Sequence, residues 1–191
     1  VAIGINAGCL TQGQYAVAIG NSAGQFTQGQ YAVAIGINAG ALTQGGSSVA
    51  IGTNAGYSTQ GSGAIAIGYT SGQIVQNSNA ISIGTAAGQF TQGSFSIAIG
   101  YTAGQVSQGQ NSVAIGLSSA QNTQSQSAIA IGTESATIGQ GTYSIAIGSQ
   151  FRSWGRRNCN KCLQKIISKC DYGRIWFQIN PTIIRKWRLI Y

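Results

Sequence analysis

The sequence predicts an all-β fold: a parallel β-solenoid, or β-roll, of about nine 16-residue coils over residues 1–150, followed by an irregular basic C-terminal tail, residues 151–191. Three observations predict it. A repeat returns at fixed period without insertion or deletion, β-branched residues alternate with small ones inside it, and the charge pattern changes abruptly after Gln150.

The first element of each unit is a box, Val1-Ala2-Ile3-Gly4, that returns at Val17, Val33, Val49, Ile65, Ile81, Ile97, Val113, Ile129 and Ile145. In an extended chain successive side chains point to opposite faces, so Val17 and Ile19 share one face and Ala18 takes the other. The apolar face is expected to point inward, which makes Ile19 and its equivalents core residues. The box glycine is present in all ten copies, from Gly4 and Gly20 to Gly148. It is expected to serve corner conformations that a Cβ would obstruct.

A second, shorter strand is expected around the tenth position of the unit, apolar at Leu10, Phe26, Leu42, Ile74, Phe90, Val106 and Ile138. That column is expected to fill the interior together with the Val/Ile positions. Helix is disfavoured, because several glycines per unit would each cost about 1 kcal/mol relative to alanine. Stacked at about 4.8 Å, nine coils make a rod of roughly 43 Å.

Eight residues after the box glycine comes an invariant glutamine: Gln12, Gln28, Gln44, Gln60, Gln76, Gln92, Gln108, Gln124 and Gln140. It reads either as a hydrogen-bonding array offered to a partner or as a structural ladder. The ladder is favoured, since stacked amides satisfy one another and a binding surface tolerates variation better than a ladder does. The preceding column, Thr11, Thr27, Thr43, Thr59, Thr91 and Thr123 with Ser107 in register, invites an ice-binding reading on a flat face. Val75 and Gly139 interrupt it, there is one threonine per coil rather than a pair, and threonine equally suits a half-exposed strand. A further column holds Tyr15, Tyr31, Phe95 and Tyr143, expected to pack at an edge. Segments such as Gly20 to Gly24 resemble a phosphate loop only superficially, since they lack its lysine.

Ser48-Val49-Ala50-Ile51-Gly52, and Ser112 to Gly116 preceded by Asn111, resemble the repeat of trimeric autotransporter adhesin heads, the YadA-type head. The array also resembles segments of viral and phage fibre proteins. The resemblance covers residues 1 to 150 and implies a left-handed parallel β-roll, three of which associate into a stalked trimer that projects from a cell surface and binds host matrix. No neck motif, heptads or membrane-anchor barrel accompany it within these 191 residues.

The expected function is therefore that of a non-catalytic, surface-exposed structural or adhesive rod, extracellular or on a cell or virion surface. The alternatives are an ice-binding solenoid and a solenoid with a basic nucleic-acid- or membrane-binding tail. No enzyme is expected. The chain has no His, and no Asp, Glu, Lys or Arg precedes Glu134, so general acid-base chemistry has no groups to use. No cofactor is expected either. Self-association into a homotrimer or filament is expected, with a matrix protein or glycan as ligand; a nucleic-acid partner is not. The apolar stretches are too broken for a spanning helix. The chain opens at Val1 in mid-pattern, so any secretion signal or N-terminal cap is expected upstream.

The tail holds all ten basic residues; with Asp171 its charge is +9, and Glu134 gives the repeats −1. Cys159-x-x-Cys162 with Cys170 is a weak metal candidate that lacks a fourth ligand. The basic, tryptophan-bearing sequence could hold phosphate backbones by charge alone. A frameshift is the favoured account: codons for Asn158-Cys159-Asn160, read one nucleotide on, include Ile-Ala-Ile, the box itself. The tail is accordingly read as non-native, disordered or capping, and dispensable for the rod.

Overall fold

The computed structural model describes residues 1–150. Each repeat forms one coil, with a strand at the box and a two-residue strand at the glutamine. The box strands, from Ala2–Ile3 and Val17–Ile19 through Ile145–Ile147, make one ten-stranded sheet in sequence order. The Thr11–Gln12 to Thr123–Gln124 strands make an eight-stranded sheet, which a bridge between Gln124 and Gln140 continues. All pairings are parallel and offset by one repeat: Ala50 lies opposite Ala66, and Thr43 opposite Thr59. The chain is thus an all-β parallel solenoid of 16-residue coils, with no helix among the described residues.

Coil-to-coil hydrogen bonding does not stop at the strand ends. In one corner Gly52 N donates to Ile35 O (2.8 Å), Asn54 N to Ile37 O (2.9 Å) and Gly56 N to Ser71 O (2.9 Å). The corner backbone therefore finds its partners in the neighbouring coils, as buried amides require. The box glycine makes this approach possible. Gly52 has φ 122°, and a Cβ there would meet Gly68 O at 2.7 Å.

The core differs from the one the apolar pattern suggests. Every fully buried hydrophobic side chain among the described residues is an alanine, and the largest fully buried side chains are glutamines. Ala18, Ala34 and Ala50 are 0% exposed, whereas Ile19 and Ile51 are 36% exposed. The expectation that Ile19 and its equivalents point inward is therefore overturned: the middle residue of the box faces in and its two branched neighbours face out. The tenth-position column is corrected likewise. Leu10, Phe26, Ile74, Phe90, Val106 and Ile138 are exposed and Leu42 is half-buried, and the second strand begins one residue later, at the threonine. The physical reason is space. Two walls joined by tight corners leave an interior that methyl groups and one slender carboxamide per coil fill, and close packing excludes larger branched groups there.

The alanine core comes in two clusters, Ala18 to Ala66 and Ala87 to Ala146. Between them Ser71 and Ser82 replace alanine, both fully buried. Ser71 Oγ donates to Ser82 O (2.8 Å), so the substitution brings its own acceptor.

Candidate interaction surfaces

The glutamine column faces inward. From Gln28 to Gln140 each side chain is buried, while Gln12 in the first coil is half-buried. Gln60 is typical. Its Nε2 donates across the interior to Val49 O (2.8 Å) on the box strand, and also to Ala64 O (3.3 Å) and Gln76 Oε1 (3.1 Å). The longest run links Gln92, Gln108, Gln124 and Gln140 through amide contacts of 3.1, 3.2 and 2.9 Å. A glycine makes room for each amide along most of the rod: a Cβ on Gly56 would meet Gln60 Cδ at 2.9 Å. The chain of amides breaks on both sides of Gln44, and again where Ser82 Oγ donates to Gln92 Oε1 (2.6 Å), occupying the acceptor that Gln76 would otherwise use. Gln44 Oε1 and Gln60 Oε1 have no partner. Gln28 to Gln140 present no array to solvent.

Three surfaces stand out. Thr11, Thr27, Thr43, Thr59, Thr91 and Thr123 alternate with the buried glutamines and are exposed, with Val75 and Ser107 half-buried in the same file. Their backbones are in register, Thr11 opposite Thr27 and Thr27 opposite Thr43. The second surface is the outer face of the box sheet. Val or Ile stands at both outward positions of every strand, as at Val17 and Ile19, Val49 and Ile51, and Ile81 and Ile83. Paired in register along ten strands, they form a continuous two-column apolar ribbon. This ribbon is the feature that apolarity alone misplaced. A usable signal lay in the column between: position two is Ala in nine copies and Ser in one, the restriction that a narrow interior imposes.

The third surface is a corner. Tyr15, Tyr31, Phe95 and Tyr143 are 67, 54, 56 and 71% exposed, so the edge-packing expectation gives way to an outward placement. All four have positive φ, from 58° to 62°. Tyr15 and Tyr31 stack at 5.3 Å and 10°, and beside them Gln30 Nε2 donates to Gln14 Oε1 (3.2 Å).

Among the described residues no three His, Cys, Asp or Glu side chains come together, and Cys9 is exposed and unpaired. No helix there is long and apolar enough to cross a membrane. Cys159, Cys162 and Cys170, and with them the frameshift, capping and basic-module readings of the tail, lie outside the described residues. No family model, curated protein or solved structure matches this chain.

Proposed function

We propose that this protein is a non-catalytic structural or adhesive rod, exposed at a cell or virion surface, that self-associates laterally through the Val/Ile ribbon of its box sheet. The observation that carries the reading is the ribbon itself. A soluble monomer rarely exposes a long contiguous apolar strip, and here every outward box position along the rod is Val or Ile. Lateral packing removes that strip from water, and because each coil repeats the last, identical rods meet in register by symmetry. A homotrimer, the assembly implied by the resemblance to YadA-type heads, would bury one ribbon per chain along a common axis. The remaining faces, with their threonines, amides and aromatic rings, would then point outward for contact with matrix.

Sedimentation velocity of the full chain tests this. The protein should sediment as a discrete oligomer, and Ile67→Asp should convert it to a monomer whose melting temperature falls only by the stabilisation that association supplied, because the half-buried Ile67 is on the outer face of its strand. A monomeric wild type, or an Ile67→Asp variant that remains oligomeric, defeats the reading. A melting temperature that collapses without prior dissociation would return Ile67 to the core.

A second reading, ice binding, is favoured by the exposed in-register threonines. It requires thermal hysteresis that Thr43→Leu with Thr59→Leu abolishes. Hysteresis absent from the wild type removes it.

A further inference from the structure

The aromatic corner has a conformational cost that burial does not offset. Its column adopts positive φ in every coil, and in several coils the occupant suits that geometry: Gly63, Asn79 and Asn111. An aromatic side chain in the left-handed region is an outlier, because the Cβ crowds the following carbonyl. Tyr15, Tyr31, Phe95 and Tyr143 nevertheless occupy it, and their exposure means that burial returns little. Strain held at an exposed position points outward, to something that covers the ring.

The surroundings of Tyr31 say what fits. On one side its ring stacks on Tyr15, and Gln30 is tied to Gln14 next to it. On the other side the same corner of the next two coils carries Gly46 with Ser47 and Ser62 with Gly63, the barest stretch of that edge. Beyond them stands Asn79, whose Oδ1 leans over Gly63, 2.5 Å from where a Cβ would be. The result is a shelf. Tyr31 stands at one end and Asn79 at the other, the small, exposed Ser47 and Ser62 lie between them, and it spans three coil spacings, about 14 Å.

We infer that this shelf is a binding site for a neutral saccharide, with one sugar ring stacked on the free face of Tyr31 and its hydroxyls bonded to Gln30, Ser47, Ser62 and Asn79. An aromatic face with convergent neutral polar groups is the combination that a sugar uses, one side apolar and the rim rich in hydroxyls. Among the described residues no charged side chain other than Glu134 is present, so within them the site offers an acidic or basic ligand nothing to pair with. The inference rests on the adhesive reading and gives it a ligand class.

The test uses the full chain on a printed panel of neutral oligosaccharides, with sulfated and sialylated glycans and a polyproline peptide as comparators. Retained glycans are then titrated in solution, with melting temperature and sedimentation followed in parallel. At least one neutral glycan should be retained, and Tyr31→Asn should weaken it about tenfold or more, the scale of one lost aromatic stack. The same variant should melt close to wild type, because asparagine suits the left-handed backbone and that gain offsets the lost stack on Tyr15. Tyr31→Phe should keep binding, and Phe95→Asn should leave it unchanged. Several results overturn the inference: retention of the acidic glycans or the polyproline peptide alone, no retention at all, binding indifferent to Tyr31→Asn, or a melting temperature that falls with it. An oligomeric rod that retains no neutral saccharide defeats this inference alone, whereas a monomer with Tyr31-dependent binding defeats only lateral self-association.

Discussion

The two walls of each coil bury their inner faces with opposite chemistry. The box strand Val49–Ile51 turns one methyl inward, that of Ala50, and sends two branched side chains out. The facing strand Thr59–Gln60 turns a carboxamide inward and a hydroxyl out. The walls complement each other: the amide of Gln60 spans the interior to the carbonyl of Val49, while the alanines leave it room. An alanine core gains little from hydrophobic burial, because each residue removes only a methyl group from water. Backbone pairing between coils and the inner amides must therefore supply much of the cohesion. In such a stack stability is a sum over neighbouring interfaces.

The largest expected effect falls on the close approach that both walls share. Gly68→Ala places a Cβ 2.6 Å from Gly84 O at φ 127°. It should cost about 3 kcal/mol or more and split the thermal melt into two transitions, one for each side of the damaged coil. A single unshifted transition would show that the coils are not held so closely.

The box strand itself gives the next contrast. Ala98→Leu forces a larger side chain into a filled interior and should cost about 3 kcal/mol, whereas Ile99→Leu, one residue on and facing out, should cost less than about 1 kcal/mol. Equal costs would mean that the inner and outer faces have been exchanged.

On the other wall, Gln60→Ala combined with Gln76→Ala strips donors from Val49 O, Ala64 O, Ile65 O and Ala80 O. Ala64 O and Ala80 O keep their backbone donors, Val49 N and Ile65 N (both 2.9 Å), so the loss is of the inner amide bonds and of the volume each side chain fills. It should cost about 1 to 3 kcal/mol per site, read from the melting temperature, with oligomeric state and ligand binding less affected. Loss of binding with stability intact would move this column to the functional side.

The smallest effect sharpens the comparison within the core. Ser82→Ala restores the residue found at that position in the other coils and frees Gln92 Oε1 for Gln76, so one hydrogen bond replaces another. A stability change within about 1 kcal/mol is expected. A larger loss would mark the serine as a required link between the two alanine clusters.

The sequence by itself determined the architecture and the coil boundaries. A fixed 16-residue period admits only stacked equivalent units, and glycine density with Val/Ile–Ala alternation makes those units strands. It also separated a neutral rod from a basic tail. Which residues share a face was legible too: Val49 with Ile51, and Ala50 apart. Which of the two faces lies inside was not. Period-two alternation is unchanged when the faces are exchanged, so the choice needs the width of the closed coil. Only the folded coil shows an interior as narrow as an alanine methyl beside a glutamine amide. That width sends Val, Ile, Leu and Phe outward, and it brings Gln60 within 2.8 Å of Val49 O. It likewise decides the corner. The left-handed backbone at Tyr31, and the bare shelf of Ser47 and Gly63 beside its ring, arise from how successive coils turn and stack, a relation between residues 16 and 32 positions apart.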